Sequence, residues 1–255
     1  MTQFVSLIQA AIVFGTVIMF GSLGEILTEK SGNLNLGVPG IMYLGGIAAL
    51  VATFFYENAV ASPSPILCVI IALVAGCAAS VLGGLIYSFL TITLRANQNV
   101  SGLALSIFGS GVANFFGGSL NKLAGGVGQI SVATTSAAFR TQIPFLSGLG
   151  VVGQLFFSYG FMMYLAIIIA VILQRFLSTS RAGLNLRAVG ESPATADANN
   201  INVSRYKYIS ICVGAAIAGL GGLYFTLVSA GGNWSSGAMD GKGWLAVALV
   251  IFALW

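Results

Sequence analysis

Long apolar runs separated by short polar gaps dominate this chain. A helix that crosses a bilayer needs roughly 20 apolar residues. On that ruler, spans are expected near 4–27, 34–56, 66–94, 98–118, 150–176 and 207–231. A seventh begins near Trp244 and stops at Trp255. That last run is too short to cross, so it is expected to end inside a partner or to belong to a shortened chain. The pattern predicts an all-α, polytopic membrane bundle of about seven spans, forming one domain over 1–255 with no separate soluble unit. Gly76, Ser80 and Gly84 lie four apart, as do Gly214, Ala218 and Gly222. Small residues at that spacing let helix backbones approach closely, which is read here as plain packing.

The longest polar stretch, 178–207, holds Arg181, Arg187, Arg205 and Lys207. Cytoplasmic loops carry the excess of Lys and Arg. Placing 178–207 in the cytoplasm puts seven basic residues inside (Lys30, Arg95, Arg175, Arg181, Arg187, Arg205, Lys207) and three outside (Lys122, Arg140, Lys242). This orientation makes the N-terminus external. The outer stretch 119–148, rich in Gly, Ser and Thr, reads as a loop with room for a short interfacial helix.

Some polar residues sit where lipid would not welcome them. The second span opens Ser31-Gly-Asn-Leu-Asn-Leu-Gly-Val-Pro-Gly40. This is either an interrupted span, tolerated only where protein or a water-filled cavity satisfies the backbone, or a loop leading into a helix with Pro39 in its first turn. Both readings put Asn33 and Asn35 near a pathway mouth on the cytoplasmic side. The fourth span opens with Asn97, Gln98, Asn99 and Ser101 and carries Asn114 further on. These groups suit a polar neutral solute, although bonding to neighbouring helices is their commoner use. Glu25 and Glu29 are expected at the headgroup interface, Glu29 beside Lys30.

Within 178–207, the run from Glu191 to Asn200 reads as a helix of about two turns. Ser192 is placed to cap it, Pro193 to open it, and Asn200 to end it in a left-handed turn. Ala194, Ala196 and Ala198 favour helix. So short a helix is not stable alone. Its alanines, asparagines and Asp197 suit a protein groove better than a membrane surface.

Composition narrows the function classes. The 255 residues are 57% hydrophobic and 6% charged, with 34 Gly; mean hydropathy is +0.97. Soluble domains run near one quarter charged. The ten basic residues are scattered through short gaps, which argues against a nucleic-acid face. Histidine is absent, and Cys68, Cys77 and Cys212 fall inside apolar runs as packing residues. Neither a metal set, a nucleophile–base pair nor a phosphate loop of the GxxxxGK[ST] type is present, so no catalytic activity is expected. A self-sufficient channel or secondary transporter would need charged groups in mid-membrane, and no span centre carries one.

The stretch GLNLRAVGESPATADANNINVSRYKY resembles the cytoplasmic coupling loop of permease subunits of ATP-binding-cassette (ABC) importers. EKSGNLNLGVPGIMYLGG, LRANQNVSGLALSIFG and GKGWLAVALVIFALW agree with it in order. The resemblance is to the branched-chain amino acid and ribose type permeases, and among them to the nucleoside branch. It implies a multi-pass subunit of the plasma or inner membrane, importing nucleosides, with simple sugars and branched-chain amino acids as alternatives. It also implies cytoplasmic ATPase subunits, which would hold the ATP and Mg, so this chain would need no cofactor. A second permease, paralogous or identical, and an extracellular or periplasmic binding protein complete the expected assembly. By the same resemblance Gly190, Glu191, Ser192, Pro193, Ala194, Asp197 and Asn200 would meet the ATPase, with Arg187 bracing the loop. Two departures stand out: Pro39 replaces the family's usual acid, and the family continues beyond the position of Trp255.

Overall fold

The computed structural model describes residues 2–123, 130–142, 153 and 155–253. Among these, six helices are long and apolar enough to cross a membrane. The first three are α1 (Thr2–Glu29), α2 (Val38–Ala59) and α3 (Pro65–Ser88), the last running into a π-helical turn at Phe89–Thr93. Next come α4 (Gln98–Leu123), the short α5 (Ala133–Arg140) and α6 (Phe161–Thr179). The polar stretch holds α7 (Arg181–Glu191) and α8 (Pro193–Ala198). Then α9 (Val203–Tyr224) continues into a second π turn at Phe225–Ser229, and α10 (Lys242–Phe252) ends the described chain. The six long spans are therefore present, the fifth beginning at Phe161 and not near 150, and the seventh run is a shorter apolar helix. The expected loop 119–148 lies partly outside the described residues, as do 150–152 and Trp255; its described portion contains α5, the expected short helix.

Both π turns carry a threonine whose hydroxyl bonds back to the preceding turn: Thr91 Oγ1 to Tyr87 O at 2.8 Å and Thr226 Oγ1 to Leu223 O at 3.0 Å. Such back-bonding competes with the helical ladder and favours a local widening.

Helices α1, α2 and α3 pack around α9, and glycine sets their spacing. A Cβ on Gly222 would overlap the Met42 carbonyl, and one on Gly84 would lie 2.6 Å from Ala215 Cβ. The two small-residue stripes thus serve packing, as expected. The outward faces are aliphatic, with Ile107 75% and Ile66 72% exposed. That surface is stable only against lipid or another apolar body.

The gaps fall at two ends, as the topology requires. At one end Thr93 and Tyr208 hydroxyls lie 2.5 Å apart, and Gly32 sits against Gly190. At the other, Glu57 Oε1 accepts from Thr135 N at 2.7 Å, Arg140 donates to Val228 O, and Ser131 bridges Asn233.

The expected interruption of the second span lies ahead of the helix, not inside it. Residues 31–37 are non-helical, and α2 then runs unbroken with Pro39 in its first turn. The proline's missing donor costs nothing there.

Candidate functional site

The stretch 31–37 is a buried strap, with Ser31, Asn33 and Asn35 each no more than 2% exposed. Without a helical ladder, its backbone groups must find partners elsewhere. Side chains from three helices supply them. Glu25 on α1 accepts from Asn35 N at 2.7 Å. Tyr87 on α3 donates to Leu34 O at 2.7 Å. On α4, Gln98 Oε1 accepts from Leu34 N at 3.1 Å and Ser106 donates to Leu36 O at 2.7 Å. Asn35 Oδ1 closes the turn by accepting from Gly37 N at 2.8 Å. The strap is thereby pinned where α1, α3 and α4 meet.

Asn33, Asn35 and Gln98 therefore gather at one place, and Ser101 is buried in the adjoining first turn of α4. Of these, Asn33 keeps a buried oxygen with no partner among the described residues. Asn97 and Asn99 are exposed, and Asn97 caps α4 by accepting from Asn99 N and Val100 N at 3.0 and 3.2 Å. Asn114 lies four turns further along α4, and its Oδ1 is also buried without a described partner.

Glu25 corrects the expectation of a headgroup residue: it is fully buried and anchors the strap. The periodicity carries the signal. Val17, Phe20, Gly21, Gly24 and Thr28 form the packed stripe of α1, and Glu25 falls on the same 3.6-residue period. Glu25→Leu leaves Asn35 N–H unsatisfied, which costs about 1–3 kcal/mol. Glu25→Gln keeps the acceptor. The leucine variant should lose heat stability in detergent and uptake activity, and the glutamine variant should retain most of both; equal behaviour would remove Glu25 from this role.

The polar stretch 178–207 folds mainly as two helices ahead of α9. The second, α8, has the expected signals. Ser192 accepts from Thr195 N at 3.4 Å, Pro193 stands at its start, and Asn200 has φ +61°. It is shorter than expected, six residues, because Glu191 belongs to α7. That preceding helix escaped sequence reading, although Ser180 caps it by accepting from Gly183 N at 2.9 Å. Glu191, Pro193, Ala194, Asp197, Asn200 and Arg187 are exposed. Gly190, at the end of α7, reaches inward: its Cα is 3.2 Å from a Cβ built on Gly32 of the strap, where φ is +81°. The polar stretch and the strap thus touch backbone to backbone.

A second non-helical segment, 230–241, enters the bundle from the opposite end before α10 begins. Trp234 and Met239 on it are buried, and Asp240 Oδ1 accepts from Tyr43 OH of α2 at 2.5 Å.

Comparison with known proteins places this architecture. Residues 7–255 match the family described as branched-chain amino acid transport system, permease component. A permease named for glucose, TsgC13 of Haloferax volcanii, is 32% identical over 98% of this chain and 70% of its own length. The guanosine ABC transporter permease NupQ of Bacillus subtilis is 30% identical over 98% of this chain and 75% of its own length. The nucleoside ABC transporter permease NupC of Lactococcus lactis is 30% identical over 96% and 74%. No solved structure matches the chain.

Proposed function

The chain belongs to the family of permease components of branched-chain amino acid transport systems, and from that premise we propose that it carries nucleosides inward as the membrane subunit of an ABC importer. Helix α8 carries the reading. It has six residues, five of them exposed, too few to hold a helix without a partner. An ATPase groove supplies that partner, with Pro193, Ala194 and Asp197 at the contact and Arg187 and Glu191 flanking it. The end bearing Lys30, Arg95 and Lys207 is then cytoplasmic, and the N-terminus external. A second permease and an external binding protein complete the assembly, and ATP and Mg bind in the ATPase subunits.

Nucleosides are favoured by the two relatives named for them. A simple sugar is the second reading, favoured by the 32% identity to the permease named for glucose. The test is the assembled complex in proteoliposomes, with guanosine, glucose and leucine as competing stimulators of ATP hydrolysis. Guanosine is expected to stimulate most; leucine alone doing so would overturn the reading. Ala194→Arg with Asp197→Arg changes only exposed positions. It should leave membrane insertion intact and cut uptake about tenfold or more, in the range of a lost buried contact. Undiminished uptake in that variant would remove α8 from the ATPase contact.

A further inference from the structure

The helices that follow the two non-helical segments, α2 and α10, meet inside the bundle, and a small cavity lies beside that contact. Gly243, just past the entering segment, packs against Pro39, just past the strap, with a Cβ on Gly243 2.5 Å from Pro39 Cα. The cavity measures about 130 Å3 and is lined by Tyr43, Ser106, Ser110, Asp240, Trp244 and their apolar neighbours. Its depth follows from packing. Met42, next to Tyr43, has its sulfur 3.1 Å from a Cβ built on Gly21 and its methyl 3.1 Å from one on Gly221. A Cβ on Gly221 in turn lies 2.9 Å from Val17 O. Val17 is near the midpoint of α1, a helix of 28 residues, or about 42 Å at 1.5 Å per residue. The cavity is therefore near mid-membrane.

At that depth Asp240 and Trp244 are exposed. A carboxylate cannot face hydrocarbon; such residues face water-filled paths or binding sites. Asp240 Oδ1 takes the Tyr43 hydroxyl, and Oδ2 has no hydrogen-bond partner among the described residues. The neighbouring cation, Lys242, gives its hydrogen bond to Ala238 O at 2.5 Å and lies 4.5 Å from the Phe225 ring centre, and it attracts the Asp240 carboxylate through space without donating to it.

We propose that this cavity is a solute subsite that receives the sugar ring of the cargo, with the free oxygen of Asp240 accepting from its hydroxyls. The proposal rests on the reading of the chain as a permease for a sugar-bearing solute. A cis-diol offers two O–H donors to one carboxylate, a charge-assisted arrangement. The hydroxyls of Tyr43, Ser106 and Ser110 donate to Asp240 Oδ1, Leu36 O and Ile107 O, so their oxygens add acceptors around the same space. The volume is well below the roughly 300–1,000 Å3 of pockets that enclose a whole drug-sized ligand, so only part of the cargo enters. The exposed ring of Trp244 then offers its face to the remainder, a nucleobase in the case of a nucleoside.

The experiment uses the complete transport complex in proteoliposomes with guanosine, 2′,3′-dideoxyguanosine and glucose as probes. The affinity of the binding protein for each probe is measured separately and is common to all permease variants. Asp240→Asn should lower uptake of guanosine, or of glucose if that is the cargo, about tenfold or more through KM, as the loss of a charge-assisted bond implies. It should leave dideoxyguanosine uptake, which lacks the diol, unchanged, so that the preference for guanosine collapses. Asp240→Glu should restore part of the preference. An Asp240→Asn variant that depresses all probes equally, or none, overturns the assignment. A wild-type complex that moves leucine and neither sugar-bearing probe overturns the functional reading and the subsite together. Failure confined to the variants overturns the subsite alone.

Discussion

Gly222→Val is expected to strip the folded protein of its heat stability, whereas Gly111→Val is expected to do almost nothing. A Cβ on Gly222 would overlap the Met42 carbonyl and lie 3.0 Å from Met42 Cα, and a Cβ on Gly46 would in turn lie 2.9 Å from Gly222 O. Backbone therefore meets backbone, and no side chain is there to swing away. Relief requires α2 and α9 to separate, which also loosens α3 and the strap held against them. Overpacking costs about 1–3 kcal/mol and occasionally more. Since about 1.4 kcal/mol is a factor of ten, the folded fraction should fall roughly ten- to hundredfold near the transition. Gly111 has nothing within 4 Å of an added Cβ, so its variant controls for helix propensity and expression. The measurement is the fraction of monodisperse protein left after heating in detergent, read by size exclusion. Equal survival of the two variants would show that α2 and α9 do not pack as closely as described.

Hydropathy made the long spans legible because a bilayer imposes one length on every crossing helix. It was blind to what lies between them. The strap at 31–37 was visible as an anomaly of Asn, Gly and Pro, but its depth was not. Depth depends on Glu25, Tyr87 and Gln98, which lie on three other helices and meet it only in the fold. Glu25 illustrates the failure. Near the end of a span it invites an interface reading, and only its phase with Gly21, Gly24 and Thr28 marks it as inward-facing. The segment 230–241 gave still less signal, being neither long, apolar nor periodic. Asn97 and Asn99 are exposed at the start of α4, where Asn97 caps the helix, a role that their polarity alone did not single out. Local chemistry read best where it was self-contained, as at Ser192, Pro193 and Asn200 around α8.

The same geometry limits how the two ends of the molecule communicate. The strap bonds to α1, α3 and α4 through hydrogen bonds of 2.7–3.1 Å. It leads straight into α2, which carries Tyr43 to the mid-membrane cavity. Movement of the strap therefore changes the seating of four helices at once, and whatever presses on the strap has mechanical access to that cavity. Gly190 is the residue so placed.

Gly190→Val should accordingly uncouple ATP hydrolysis from transport while leaving the ATPase bound. A Cβ there would overlap the Lys30 carbonyl and stand 3.1 Å from Gly32 N. Gly32 cannot retreat freely, because its φ of +81° already occupies the region that disfavours side chains. Valine would lift the end of α7 off the strap. The exposed residues of α8, proposed above to meet the ATPase, are not altered, so basal hydrolysis should persist. What should vanish is its stimulation by solute, together with uptake. Coupling between sites is commonly worth about 5–150-fold, and a loss within that range is expected in proteoliposomes. Ala188→Val, at an exposed position two residues earlier on the same helix, supplies the control and should behave as wild type. If Gly190→Val retains full solute-stimulated hydrolysis and uptake, the route from α8 to the membrane does not pass through Gly32. If it loses ATPase binding altogether, Gly190 belongs to the docking surface and not to the link behind it.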